Sequence, residues 1–174
     1  GVCNLLSWMR DALNFSAHAR VGHMASIAFD ASVLEIWASL ISGASLHLPY
    51  KDAIGAPDLL THWMVNQKIT HCFMVTAMVE AILPYLEEAK NLSLQVLYTG
   101  GDKLTRTPKD EVPFLFYNMY GPTEASVAAS CHLIPPGLQQ VPPIGKGIDE
   151  VRLSLLDQQV QLAPLGLPGE PYLG

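Results

Sequence analysis

Charge is scarce in this chain. Only 15% of its 174 residues are Asp, Glu, Lys or Arg, while 49% are hydrophobic. The ten Lys and Arg are scattered, sixteen Asp and Glu outnumber them, and the net charge is −6. With no basic cluster to neutralise phosphates, no nucleic-acid partner is expected. Cysteine is scarce as well. Cys3, Cys72 and Cys131 form no C-x-x-C or Cys/His spacing, so neither a zinc site nor a disulfide framework is expected. Cys72 and Cys131 lie in apolar runs and read as buried structural thiols. No stretch of eighteen apolar residues occurs, which argues against a membrane span. There is no G-x-x-x-x-G-K-S/T phosphate loop and no G-x-S-x-G nucleophile elbow, which removes the P-loop nucleotidases and serine hydrolases. The six histidines are dispersed, none at metal-ligand spacing, and read as surface or satisfied core residues.

What is present is a regular alternation. Apolar residues Leu5, Trp8, Met9, Ala12 and Leu13 recur at helical spacing within 5–15. A β-capable run at 23–28 precedes Ser32 and Glu35, which fit an S-x-x-E capping box opening a helix over 33–41. Gly43 ends it. A strand over 45–48, a helix over 56–66 with Pro57 in its first turn, and a strand over 70–75 follow. A helix over 76–89, containing Pro84, and a strand over 94–99 complete the series. This β/α alternation predicts an α/β fold, a parallel sheet flanked by helices. Beyond residue 125 the pattern becomes β-rich, with strands expected over 126–134, 151–157 and 171–173. Residues 1–174 are therefore expected to form one unit, mainly α/β over 1–125 and mainly β over 126–174.

Ligands of open parallel sheets sit past the carboxyl ends of the strands. Four turns fall at such ends: Phe29-Asp30, Val75-Thr76, Gly100-Gly101-Asp102 and Asn118 to Glu124. Asp30 sits among apolar residues. Capping or a solvated turn is the ordinary use of such an Asp. If Ser32 and Glu35 cap the helix, Asp30 is left for a cation such as a ligand ammonium, since no basic residue lies nearby in sequence. Gly100-Gly101 permits a turn or a close approach of backbone to a flat ligand. Thr123 and Glu124 could begin a helix, or offer a hydroxyl to phosphate and a carboxylate to Mg²⁺. Tyr120 could stack on a base.

Together these pieces resemble a known family. Asn118-Met119-Tyr120-Gly121-Pro122-Thr123-Glu124 is similar to the N-x-Y-G-P-T-E signature of adenylation domains from nonribosomal peptide synthetases. Phe29-Asp30-Ala31-Ser32 resembles their F-D-x-S motif. Gly100 to Leu104 resembles their G-G-E-x-L motif, with Asp102 in place of Glu. Pro143 to Lys146 resembles a P-I-G-K turn, and Gly169 to Gly174 the start of G-E-L-Y-I-G-G. The resemblance implies an internal fragment of the large N-terminal subdomain. On that alignment Gly1 is the last residue of the family's phosphate loop, and the ribose-binding aspartate and the C-terminal lid lie beyond residue 174. The isolated fragment is therefore expected to be inactive and poorly soluble.

The resemblance also implies a reaction: ATP and Mg²⁺ activate an amino acid to an aminoacyl adenylate, which passes to the phosphopantetheine thiol of a carrier protein. Partners would be carrier-protein and condensation domains of the same synthetase, in the cytoplasm. By position, Asp30 would pair with the substrate ammonium. Asn118 would meet the adenine amine, and Tyr120 would stack on the ring. Gly100, Gly101, Asp102 and Gly121 would border the nucleotide. Thr123 would contact the α-phosphate and Glu124 would hold Mg²⁺. The side-chain pocket would be lined by Ala31, Leu34, Phe73, Tyr98, Gly100, Met119, Val127 and Ala128. None is charged, so an apolar, leucine-like substrate is expected, with the Tyr98 hydroxyl leaving a tyrosine-like one open. An acyl- or aryl-CoA ligase, or a non-catalytic binding module on the same fold, are the competing readings.

Overall fold

A computed structural model describes residues 1–109, 111–138 and 140–174. Its frame is a seven-stranded sheet in the order β2-β1-β3-β4-β5-β6-β7. Strands β1 (Arg20–Gly22), β2 (Ser45–His47), β3 (His71–Val75), β4 (Val96–Gly100) and β5 (Leu115–Tyr120) are parallel. Strands β6 (Ser130–Leu133) and β7 (Lys146–Gly147) each join antiparallel to the preceding strand. Strands β8 (Leu153–Leu156) and β9 (Glu170–Leu173) form a separate antiparallel ribbon. The expected α/β architecture with a mostly parallel sheet is the one observed.

The period of two along each strand divides the core. Phe73, Val96, Tyr98 and Met119 face one side and meet Leu5 and Met9 of helix α1 (Val2–Ala12) and Leu34 of α2 (Ser32–Ser42). Cys72, Met74, Leu97 and Phe116 face the other. There they meet Leu60 and Met64 of α4 (Pro57–Asn66) and Val79, Ile82 and Leu83 of α5 (Thr76–Glu88). A sheet covered on both faces needs apolar residues at every position, which is why β3 and β4 read as continuous apolar runs. Each such side chain contributes about 1.5–3 kcal/mol by leaving water. A one-turn helix α3 (Lys51–Ile54) precedes α4 and lies outside the sequence expectations.

Three expectations are corrected. The strand read at 23–28 lies at Arg20–Gly22 instead, and 23–28 is a loop. After His23, whose N–H donates to His47 O at 2.9 Å, the ladder stops, because Met24 and Ala25 donate to the Glu35 carboxylate at 2.9 and 3.2 Å. The capping box is absent for the same reason. The N-cap of α2 is Ala31, without a side-chain bond, and Glu35 is buried facing the loop. The strand read over 126–134 is confined to Ser130–Leu133, because Ser126 and Val127 take positive φ of 63° and 74°. A 3-10 turn, Thr123–Ala125, precedes them.

Candidate functional site

The four sequence-predicted turns meet at one rim of the sheet. β5 runs farther than its apolar run suggests and carries Asn118, Met119 and Tyr120 as its last residues, so the turn proper starts at Gly121. Gly121 is required there by crowding. A Cβ would stand 2.6–2.8 Å from Ala129 N, Ala128 Cα and Val127 O. This close approach folds the segment 121–128 back onto β6, with Ala129 N–H donating to Tyr120 O at 2.8 Å.

Two adjoining cavities open on this rim. One, of about 390 Å³, lies between the Gly101-Asp102 turn and the end of β5, with Asn118, Tyr120, Pro122, Pro142 and Ile144 in its wall. The second, of about 310 Å³, is walled by Asp30, Ala31, Leu34, Phe73, Gly100, Val127 and Ala128. Gly101, Asp102, Met119 and Gly121 belong to both walls. Asn118 Nδ2 donates to Pro143 O at 3.0 Å, so the acceptor end of that amide is the one left without this tether. Thr76 Oγ1 donates to Asp102 O at 3.1 Å and holds the Gly-Gly-Asp turn. Asp102 Oδ1 accepts from Lys103 N–H.

Asp30 stands in the wall of the second cavity, and Thr123, next in sequence to Pro122 of the first wall, donates its hydroxyl proton to Asp30 Oδ2 at 2.5 Å. Glu124 is exposed and faces a third cavity on the far side of Pro122, bordered by Gly1, Asn4, Ser126 and Glu150. Among the described residues no group of three His, Cys, Asp or Glu side chains gathers as a metal-binding set. A lone exposed carboxylate is what Mg²⁺ uses when phosphates and waters supply its other ligands.

Of the expected pocket residues, Tyr98 alone stands apart. It is fully buried, absent from the cavity wall, and packed against Phe73 and Phe15 at ring distances of 5.7 and 6.4 Å. Its hydroxyl has no hydrogen-bond partner among the described residues. Burial, with Glu35 and Cys72 adding to it, pushes its pKa far above the ordinary phenol value.

Glu35 is the residue that sequence reasoning misassigned. It is fully buried and receives Met24 N–H, Ala25 N–H and, at 2.5 Å, the His23 ring. Burial pushes its carboxyl up to about 7, and the two amides and His23 oppose that shift. The signal available in sequence was its place one turn into an apolar helix face, where a capping glutamate and a buried one look alike.

The remaining histidines and thiols stay outside the rim. His71 is a satisfied core histidine, bonded to Leu13 O and the Thr70 hydroxyl, with its pKa lowered by burial. Cys72 is buried as expected. Cys131 is only half-buried, although desolvation still pushes its thiol up to about 12. Among the described residues no helix is long and apolar enough to cross a membrane.

Residues 2–174 match the AMP-binding enzyme family, and the chain belongs to that family. It is 39% identical over 173 residues to one of the linear gramicidin synthase polypeptides of Brevibacillus parabrevis, covering 98% of this chain and 3% of that protein. It is 31% identical to tyrocidine synthase 1 of the same organism, covering 100% of this chain and 16% of that one. The chain thus spans a small part of the curated relatives it matches. The nonribosomal peptide synthetase FmoA3, in its alpha-methyl-L-serine-AMP bound form, superimposes with a TM-score of 0.85 at 23% identity. That match covers 99% of this chain and 21% of FmoA3, and at that identity it speaks for the fold.

Proposed function

We propose that this chain is the central part of an amino-acid adenylation domain within a longer peptide synthetase. The observation that carries the reading is the contact of Asp30, in the wall of the second cavity, with Thr123, which follows Pro122 in the wall of the first. The cavity beside Asn118 and Tyr120 suits adenine: an aromatic face, an amide oxygen for the exocyclic amine, and the Gly101 backbone for close approach. The cavity beside Asp30 suits an amino acid. Its carboxylate would hold the α-ammonium, and Ala31, Leu34, Phe73, Met119, Val127 and Ala128 would surround an uncharged aliphatic side chain such as leucine. A charged side chain would be left unpaired there, at a cost on the order of several kcal/mol.

The chemistry joins the two. A substrate carboxylate oxygen attacks the α-phosphorus of ATP, and the bond to the bridging β-oxygen breaks. Pyrophosphate leaves with that electron pair, and a mixed anhydride remains. Thr123 would release Asp30 to the substrate ammonium and donate its one hydroxyl proton to the α-phosphate, and Glu124 would hold a Mg²⁺ that neutralises the departing charge. The work of the site is positioning and charge stabilisation. The anhydride then has the reactivity to acylate a carrier-protein phosphopantetheine thiol, releasing AMP. Condensation domains would use that product, and a supply of ATP would place the protein in the cytoplasm.

The test is pyrophosphate exchange into ATP by the full-length polypeptide, across the twenty amino acids and a set of aryl and fatty acids. Exchange with an aliphatic amino acid, lost in Asp30→Ala, supports the reading. Exchange only with acids lacking an amine moves the protein to the acyl- or aryl-CoA ligases. Silence with every acid in a folded, ATP-binding protein points to a non-catalytic module.

A further inference from the structure

The loop that delivers Asp30 is held from behind by a carboxylate the proposed chemistry does not use. After β1 the chain travels over residues 23–31 before α2 begins at Ser32. The far half of this loop closes on itself through Phe29 N–H to Ser26 O and Ser32 N–H to Phe29 O. Its tip is solvent-exposed, with Ile27 82% and Phe29 67% accessible, so packing does not fix it. The near half packs Met24 and Ala25 on the two cores, and among the described residues Glu35 supplies the side-chain hydrogen bonds to its backbone amides. One carboxylate takes both Met24 and Ala25 N–H and the His23 ring, tying the start of the loop to the helix that follows it. A carboxylate buried to this degree is costly unless it is fully bonded, so the geometry is stringent.

We propose that Glu35 is a positioning residue for the amine-binding carboxylate, clamping the 23–25 segment to α2 so that Asp30 stands in the wall of the second cavity beside Thr123. This rests on the function proposed above. A reacting group displaced by about 1 Å loses on the order of a hundredfold in rate or affinity, so a backbone clamp at the start of the loop that carries it has weight.

The experiment uses the full-length polypeptide and two substitutions at one position. Glu35→Leu fills the space but leaves both amides unpaired. Glu35→Gln keeps an oxygen for the amides and removes the charge. For Glu35→Leu the expected result is a KM for the amino acid raised about ten- to a hundredfold, with the KM for ATP and kcat within about twofold. Glu35→Gln should restore the amino-acid KM to within about threefold of wild type. Leu60→Ala, in the opposite core, should lower stability without moving either KM. The proposal is overturned if the two KM values in Glu35→Leu rise together or not at all, or if Leu60→Ala reproduces the split. If Glu35→Leu does not fold, His23→Ala removes one arm of the clamp and should still raise the amino-acid KM selectively; an unchanged KM overturns the proposal. If the wild type shows no exchange with any amino acid, the functional reading has failed. Amide hydrogen exchange then decides the clamp by itself. Protection of Met24 and Ala25 lost in Glu35→Leu supports it, and unchanged protection overturns it.

Discussion

Asp30 and Thr123 lie 93 positions apart in the chain and meet side chain to side chain, the Thr123 hydroxyl donating to Asp30 Oδ2 at 2.5 Å. In the proposed reaction these two groups serve different substrates, the ammonium of one and the phosphate of the other. Charge-assisted bonds of this kind contribute about 1.5–3 kcal/mol, so Asp30→Ala should raise the amino-acid KM about ten- to a hundredfold. Because the residues touch, their substitutions should not add. A double-mutant cycle of Asp30→Ala and Thr123→Val on kcat/KM should show a coupling of about 0.5–3 kcal/mol. Additivity would mean that the contact has no bearing on catalysis.

Tyr98→Phe should leave the protein as stable as before, or stabilise it by up to about 1–2 kcal/mol, because it removes a buried hydroxyl that has no partner among the described residues. Urea unfolding of the smallest segment that melts cooperatively measures this. A loss above about 1 kcal/mol would show that the hydroxyl is bonded in solution. The same variant tests specificity, since a tyrosine-like substrate reaching Tyr98 would lose affinity and an aliphatic one would not.

The burial of Glu35 makes stability depend on pH. Its carboxyl is raised from 4.5 to about 7, so the folded state holds this proton more tightly than the unfolded chain does. The contribution is fully present below 4.5 and is lost as pH rises through about 7. His23 faces the carboxylate directly, and the Cys72 thiol and Tyr98 phenol nearby are pushed up and stay neutral throughout. His47 and His71, lowered by burial, act with the opposite sign. The useful quantity is therefore the stability of wild type minus that of Glu35→Gln. It should fall between about pH 5 and pH 8 in urea unfolding series. A flat difference would mean that Glu35 does not titrate in that window.

Gly121→Ala should cost about 2–4 kcal/mol, because the new Cβ would stand 2.6–2.8 Å from three backbone atoms that cannot yield separately. Gly55→Ala is the control, with nothing within 4 Å of the added carbon and an ordinary φ of −94°. Its effect should stay within about 0.5 kcal/mol. Thermal or urea midpoints of the pair distinguish a crowded turn from a merely flexible one.

Much of the rim was readable in sequence. Strands β3 and β4 announce themselves as continuous apolar runs, and the turns after them carry Gly, Asp and Thr where a parallel sheet opens to ligand. Pro57 at the start of α4 and Gly43 after α2 mark their helix ends as their backbone chemistry requires. The end of β5 was less readable. Asn118 is polar and Tyr120 precedes a glycine, yet residues 118–120 extend the strand because Asn118 and Tyr120 pair with His132 and Ser130 of β6.

The sequence by itself determined the layers of this protein, since an apolar strand or an amphipathic helix buries the same face wherever it lies in the chain. It also indicated the rim turns after β3 and β4, where Thr76 and Gly101-Asp102 follow apolar strands. Tertiary structure decided the partners. Glu35 reads as a cap until the loop amides of Met24 and Ala25 are found without a ladder to join. Tyr98 reads as a pocket wall until Phe15 and Phe73 close around it. Thr123 reaches Asp30 only after β5 and α2 lie on one sheet. Each outcome depends on which polar groups remain unpaired once distant segments have packed, and a pattern confined to neighbouring residues does not contain that information.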